Sequence, residues 1–126
     1  MMELLIKLGG IYNIILVAFH LLFWRIFNWK DDLKSLSFLN EQTMQVLNLC
    51  LTIVFVMFAY ISLVHSNELL TTPLGKSLLF SMALLWLART AMQAVFYKLK
   101  HWSSFAFLAY FFAGALLYGI PAIDSI

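Results

Sequence analysis

Charged side chains are scarce in this chain: they make up 11% of its 126 residues, against 63% that are hydrophobic. Soluble domains are about one quarter charged and about half apolar. A water-exposed globule is therefore excluded, because it would lack the polar surface to cover so large an apolar content. Cysteine is reduced to Cys50, which excludes an internal disulfide and intramolecular dithiol exchange. The quinone-coupled disulfide-forming enzymes, which are also small four-helix bundles, are excluded with it. The net charge of +2 is small and dispersed, which argues against nucleic acid as a partner and reads instead as membrane orientation.

What the chain does contain is four long apolar stretches, Leu8 to Trp24, Gln42 to Asn67, Ser77 to Tyr97 and His101 to Ile123, with Arg89 the sole charged residue inside any of them. At a rise of about 1.5 Å per residue, each reaches or nearly reaches across a hydrocarbon core of roughly 30 Å. None alternates polar with apolar residues, so barrel strands are disfavoured. The expectation is an all-α, integral membrane four-helix antiparallel bundle forming one domain over residues 1–126, with helices at about 5–27, 43–65, 73–97 and 103–120. The first stretch follows Lys7 but has no small-x-small cleavage site after its apolar run, so it reads as a helix and not as a signal peptide. Thr72-Pro73 offers an N-cap followed by proline in the first turn, and Gly119 with Pro121 marks the end of the fourth helix. Between the first two helices, Trp29, Leu33, Leu36 and Phe38 among Lys30, Asp31, Asp32 and Lys34 suggest a short interfacial helix.

Lysine and arginine set the orientation. Arg25, Lys30, Lys34, Lys98 and Lys100 fall in the first and third loops, and only Lys7 and Lys76 lie on the other side. The positive-inside rule then places the chain in the cell (inner) membrane as a multi-pass protein, with both termini outside the cytoplasm.

Polar residues inside a span are informative because each must find a partner or water. His20 lies near the end of the first helix. Glu41, Gln45, Asn48 and Thr52 share one face of the second, and Arg89 and Gln93 stand four apart on the third, with Trp86 one turn deeper. Ser103, Ser104 and Tyr110 join from the fourth. All fall in the half that the orientation makes cytoplasmic. Arg89 is about 12 Å from the end of its helix, a depth that costs a guanidinium on the order of 2–3 kcal/mol. No carboxylate lies within a span, which leaves Glu41 or a bound anion as its counter-ion. The alternative is that Arg89 snorkels to the headgroups, held by Gln93 and stacked on an aromatic ring. His20 has several readings: acid or base, proton relay, metal ligand, or hydrogen-bond partner of Asn48. Haem would require His20 with His101, the one same-side histidine pair, and no Cys or His spacing of a structural metal site is present. Gln45 and Asn48 also read as amides that hold helices together. Tyr12, Asn13, His65, Asn67 and Tyr118, on the other side, carry no assigned role. Phe105, Phe107, Phe111 and Phe112 face lipid or fill the bundle.

The segments Phe19-His20-Leu21-Leu22-Phe23-Trp24, Phe27-Asn28-Trp29 and Asn40-Glu41-Gln42-Thr43-Met44-Gln45-Val46-Leu47-Asn48 resemble those of small bacterial four-helix membrane proteins of unknown function. In helix count and size the chain is also similar to the DoxX-like group, some members of which are associated with quinone-linked oxidation. The resemblance implies the architecture and supplies no catalytic residues.

The functional expectation is a membrane-embedded binding protein or accessory subunit. Its cytoplasm-facing pocket would be formed by His20, Glu41, Gln45, Asn48, Arg89 and Gln93, and its ligand would be a phospholipid, fatty acid or quinone with its head at Arg89. One alternative is an intramembrane enzyme on a lipid-like substrate, with His20 as acid or base and Arg89 polarising an oxygen. Another is a purely structural subunit of a larger membrane complex, or a homo-oligomer. A proton-coupled dimeric exporter is disfavoured because Glu3 and Glu41 lie only at the edges of spans.

Overall fold

The computed structural model describes residues 1–126 and is all-helical. Four helices are long and apolar enough to cross a membrane: α1 (Met2–Leu21), α4 (Phe38–Val64), α6 (Pro73–Phe96) and α7 (Trp102–Asp124). Short helices α2 (Phe23–Ile26), α3 (Trp29–Asp32) and α5 (Ser66–Thr71) lie in the connections. The long helices present Ile11, Ile15, Ile53, Met57, Leu84 and Leu87 outward, each about half exposed. A surface this apolar along the full helix length is stable only in lipid, and the chain is a multi-pass membrane protein.

The helix ends follow local chemistry. The Ser37 hydroxyl accepts from Asn40 N–H at 3.3 Å and starts α4 at Phe38, five residues before the expected Thr43. Glu41 therefore stands in the first turn of α4, where its charge complements the helix dipole. Thr72 caps α6 as expected, accepting from Gly75 N–H at 2.9 Å with Pro73 in the first turn. The first helix, expected to run unbroken to Phe27, stops at Leu21. Asn28 then turns the chain in the left-handed region (φ 53°), which asparagine tolerates better than most residues. The short helix expected in this connection is α3, followed by a 3-10 turn over Leu33–Ser35 with Leu33 buried. The fourth helix passes through Pro121 to Asp124 and does not stop at Gly119. Pro121 sits in the last turn, where the one backbone bond it removes is a small loss.

The four long helices form an antiparallel open ring. α1 packs along α4, α6 along α7, and α1 against α7, but α4 and α6 scarcely meet. Two reciprocal contacts hold α1 to α7. Tyr118 lies on Gly9, where a Cβ would come within 2.6 Å of its ring, and Tyr12 lies on Gly114, where a Cβ would come within 2.5 Å of its hydroxyl. Each glycine makes room for the partner helix's tyrosine. Tyr12 and Tyr110 stack at 4.2 Å and exchange hydrogen bonds, each hydroxyl donating to the other residue's backbone carbonyl at 3.0 and 2.9 Å. Nearer the termini, Asn13 Nδ2 donates to the Tyr118 hydroxyl at 2.8 Å, and that hydroxyl is shared with Ser62 Oγ of α4 at 2.7 Å. Asn13, Ser62 and Tyr118 have no solvent exposure. These residues join α1, α4 and α7 at the end of the bundle that carries both chain termini.

Candidate functional site

At the opposite end, where α2, α3 and the α6–α7 connection lie, the helices enclose a cavity of about 700 Å³. Its walls are mostly apolar and aromatic: Phe19, Phe23, Phe55, Trp86, Phe107 and Phe111. The polar groups in its lining include His20, Arg89, Gln93 and Ser104 inside, with Asp32 and His101 toward the connections. On the side between α4 and α6 the walls are Met44 and Leu51 of α4 and Leu85 of α6, all more than 40% exposed. Phe55 of α4 and Trp86 of α6 stack at 5.7 Å between the two helices, and the exposed side chains beside them turn this side of the cavity toward lipid.

Each polar group is held by an identifiable contact. His20 Nδ1 lies 2.8 Å from the Leu16 carbonyl. A carbonyl only accepts, so Nδ1 carries the proton and the neutral ring keeps its lone pair on Nε2. The imidazole stacks on Phe23 at 4.5 Å and meets Phe55 edge-on at 4.9 Å. Gln93, 3% exposed, donates from Nε2 to Ser104 Oγ at 3.3 Å. Ser104 in turn donates to the Lys98 carbonyl at 2.7 Å, and so ties α6 to the turn that precedes α7. The Arg89 guanidinium lies over Phe111 at 4.2 Å and Tyr97 at 5.5 Å. This aromatic stacking is what the snorkelling alternative expects. It leaves two needs unmet, because Arg89 Nη1 is buried without a hydrogen-bond partner and no carboxylate lies within ion-pair distance. Trp86 Nε1, three residues earlier on α6, is also buried and unpartnered.

The six residues singled out from sequence are distributed over three places. His20, Arg89 and Gln93 line the cavity together. Asn48 is buried behind it, and its Nδ2 donates to the His20 backbone carbonyl at 2.9 Å, not to the imidazole. That carbonyl also accepts a backbone N–H at the C-cap of α1, so the amide is a second donor that ties α1 to α4. Glu41 and Gln45 line a separate shallow depression with Trp24, Arg25, Trp29 and Lys30. Gln45 accepts from Trp24 Nε1 at 2.8 Å and donates to the Glu41 carbonyl at 3.3 Å. The polar face of α4 therefore packs against the end of α1 and α2, and Glu41 does not pair with Arg89.

Sequence reasoning did not assign the site Asp32 or Trp86. Asp32 reaches the lining because the chain folds back at Asn28, a left-handed turn with no strong signature in sequence. Trp86 does have a signal: at three residues' spacing it shares the helix face of Arg89. No known protein family, curated protein or solved structure matches the chain.

Proposed function

We propose that this chain is a membrane-embedded binding protein whose cavity takes an amphipathic, lipid-like ligand, with an anionic or carbonyl-bearing head at Arg89 and an apolar tail among the phenylalanines. A phospholipid, a fatty acid and a quinone all belong to this class. The observation that carries the reading is Arg89, which lines a cavity of about 700 Å³ and has a buried Nη1 without a partner. An unpaired charge in such a setting is strongly unfavourable, and a ligand oxygen supplies what the chain does not. The volume falls within the range of pre-formed small-molecule pockets, about 300–1,000 Å³. The gap between α4 and α6 supports loading from the bilayer, since an amphiphile already dissolved there reaches the cavity without crossing water.

The excess of Lys and Arg in the first and third loops supports an orientation in the cell membrane with both termini outside. The cavity then lies in the cytoplasmic half of the protein. A second reading, an intramembrane enzyme on the same ligand, is favoured by the His20 tautomer, which leaves a basic Nε2 in a residue that lines the cavity. In that case wild-type protein alters the bound amphiphile chemically, and a His20→Ala variant binds it unchanged.

The test of binding is solvent extraction of protein purified in mild detergent, with quantification of amphiphile per chain. Wild-type protein yields a defined species in near-stoichiometric amount, and Arg89→Leu yields only the detergent background at equal protein recovery. Equal retention by Arg89→Leu contradicts the reading.

A further inference from the structure

The reading above leaves the chemical class of the head group open, and the orphaned donors narrow it. We propose that the ligand is a single-chain carboxylate, a fatty-acid-like amphiphile whose carboxylate is received by Arg89 Nη1 and Trp86 Nε1. This rests on the binding function just proposed and specifies the ligand that fills the cavity.

Two N–H groups are buried without partners on residues that line the cavity, and they come from adjacent turns of one helix face. Trp86 is 2% exposed, so its indole N–H has no recourse to solvent. An indole and a guanidinium only donate, so the missing group is an acceptor, and two separate donors match a head with two acceptor atoms. Its charge follows from Arg89, which has no anionic partner. A quinone oxygen accepts a hydrogen bond but leaves the positive charge uncompensated, whereas a carboxylate supplies two oxygens and the counter-charge together. A two-chain phospholipid fits less well. Its phosphate is anchored at the headgroup level, whereas Arg89 lies roughly 10 Å inside the end of α6, and a cavity of about 700 Å³ suits one chain.

The other ionisable groups in the lining agree with this assignment. Asp32 is exposed and lies toward the connections, where it disfavours an anion arriving from water. His20 and His101 are the remaining titratable side chains, together with the Tyr97 phenol. His20 carries no negative charge and so adds no ionic repulsion to a carboxylate. With the head on α6, the aromatic wall of Phe19, Phe55 and Phe107 is left for the chain, and the α4–α6 gap for its tail.

The experiment uses the full-length protein in phosphatidylcholine nanodiscs, titrated with dibrominated stearic acid, its methyl ester and a dibrominated phosphatidylglycerol at a pH well above the carboxylate range. The readout is the saturable quenching of tryptophan fluorescence. The free acid quenches at least about ten-fold more tightly than the ester, as expected for loss of a charge-assisted hydrogen bond, and the saturable component is lost in Trp86→Phe. Arg89→Gln weakens the acid by a similar factor and leaves the ester unchanged, with circular dichroism reporting that the variant is folded. Equal affinity for acid and ester overturns the carboxylate assignment while leaving an amphiphile pocket in place. Equal or tighter binding of the phosphatidylglycerol overturns the single-chain assignment. Saturable quenching by none of the three overturns the binding reading itself.

Discussion

At the end of the bundle that carries both termini, Asn13, Ser62 and Tyr118 share hydrogen bonds in a space that excludes solvent. At the other end, Arg89 and Trp86 carry donors with no acceptor beside a cavity of about 700 Å³. Both ends place polar groups where lipid cannot satisfy them. In the first, three helices supply acceptors to one another's donors, with Asn13 Oδ1 left unpaired, and Gly9 and Gly114 bring the backbones close enough to do so. In the second, the backbones of α4 and α6 stay apart, with Phe55 and Trp86 stacked between them, and acceptors for Arg89 and Trp86 are missing. A polar network whose donors all find acceptors holds helices together, whereas donors left open adjoin a space that a ligand can occupy.

If the two ends differ in this way, deletions at each should have opposite consequences for stability. The largest effect is expected for Tyr118→Ala, which removes a fully buried ring and strands Asn13 and Ser62. Reversible unfolding in mixed micelles should show a loss of about 3–5 kcal/mol. The same measurement on Arg89→Leu should show a gain of up to about 2 kcal/mol, because an uncompensated charge leaves the hydrocarbon region, while retained amphiphile falls to background. A destabilised Arg89→Leu protein would break the comparison, since it would place Arg89 among the residues that hold the fold. Asn48→Ala probes the boundary between the two behaviours. It removes the donor to the His20 carbonyl and should cost about 1 kcal/mol, with ligand retention unchanged. Glu41→Gln is expected to have the smallest effect, within about 0.5 kcal/mol and with no change in retained ligand, because its side chain lies outside the cavity.

The fold was legible from sequence because hydrocarbon thickness dictates span length and every charge but Arg89 falls at or beyond the ends of spans, so four spans and their hairpins follow from where Lys, Arg, Asp and Glu fall. Local caps were legible where a side chain is the cap, as at Thr72-Pro73. They were missed where the conformation is set by packing, as at Leu22 and Asn28. For the site, depth along each helix was readable and rotation about it was not. Glu41, Gln45 and Asn48 share a face, but that face turns toward α1 and α2, whereas Arg89 and Gln93 turn toward the cavity. The Tyr12–Tyr110 and Asn13–Tyr118 contacts join residues about 100 positions apart, and no periodicity within one helix encodes them.

The most direct test of the open end is an experimental structure of the protein crystallised in a lipidic mesophase after purification without delipidation. The expected result is density for a head group within hydrogen-bonding distance of Arg89 Nη1, continuous with a chain leading toward the gap between α4 and α6. A collapsed cavity, with Arg89 turned onto Glu41 or out to the headgroups, would contradict it.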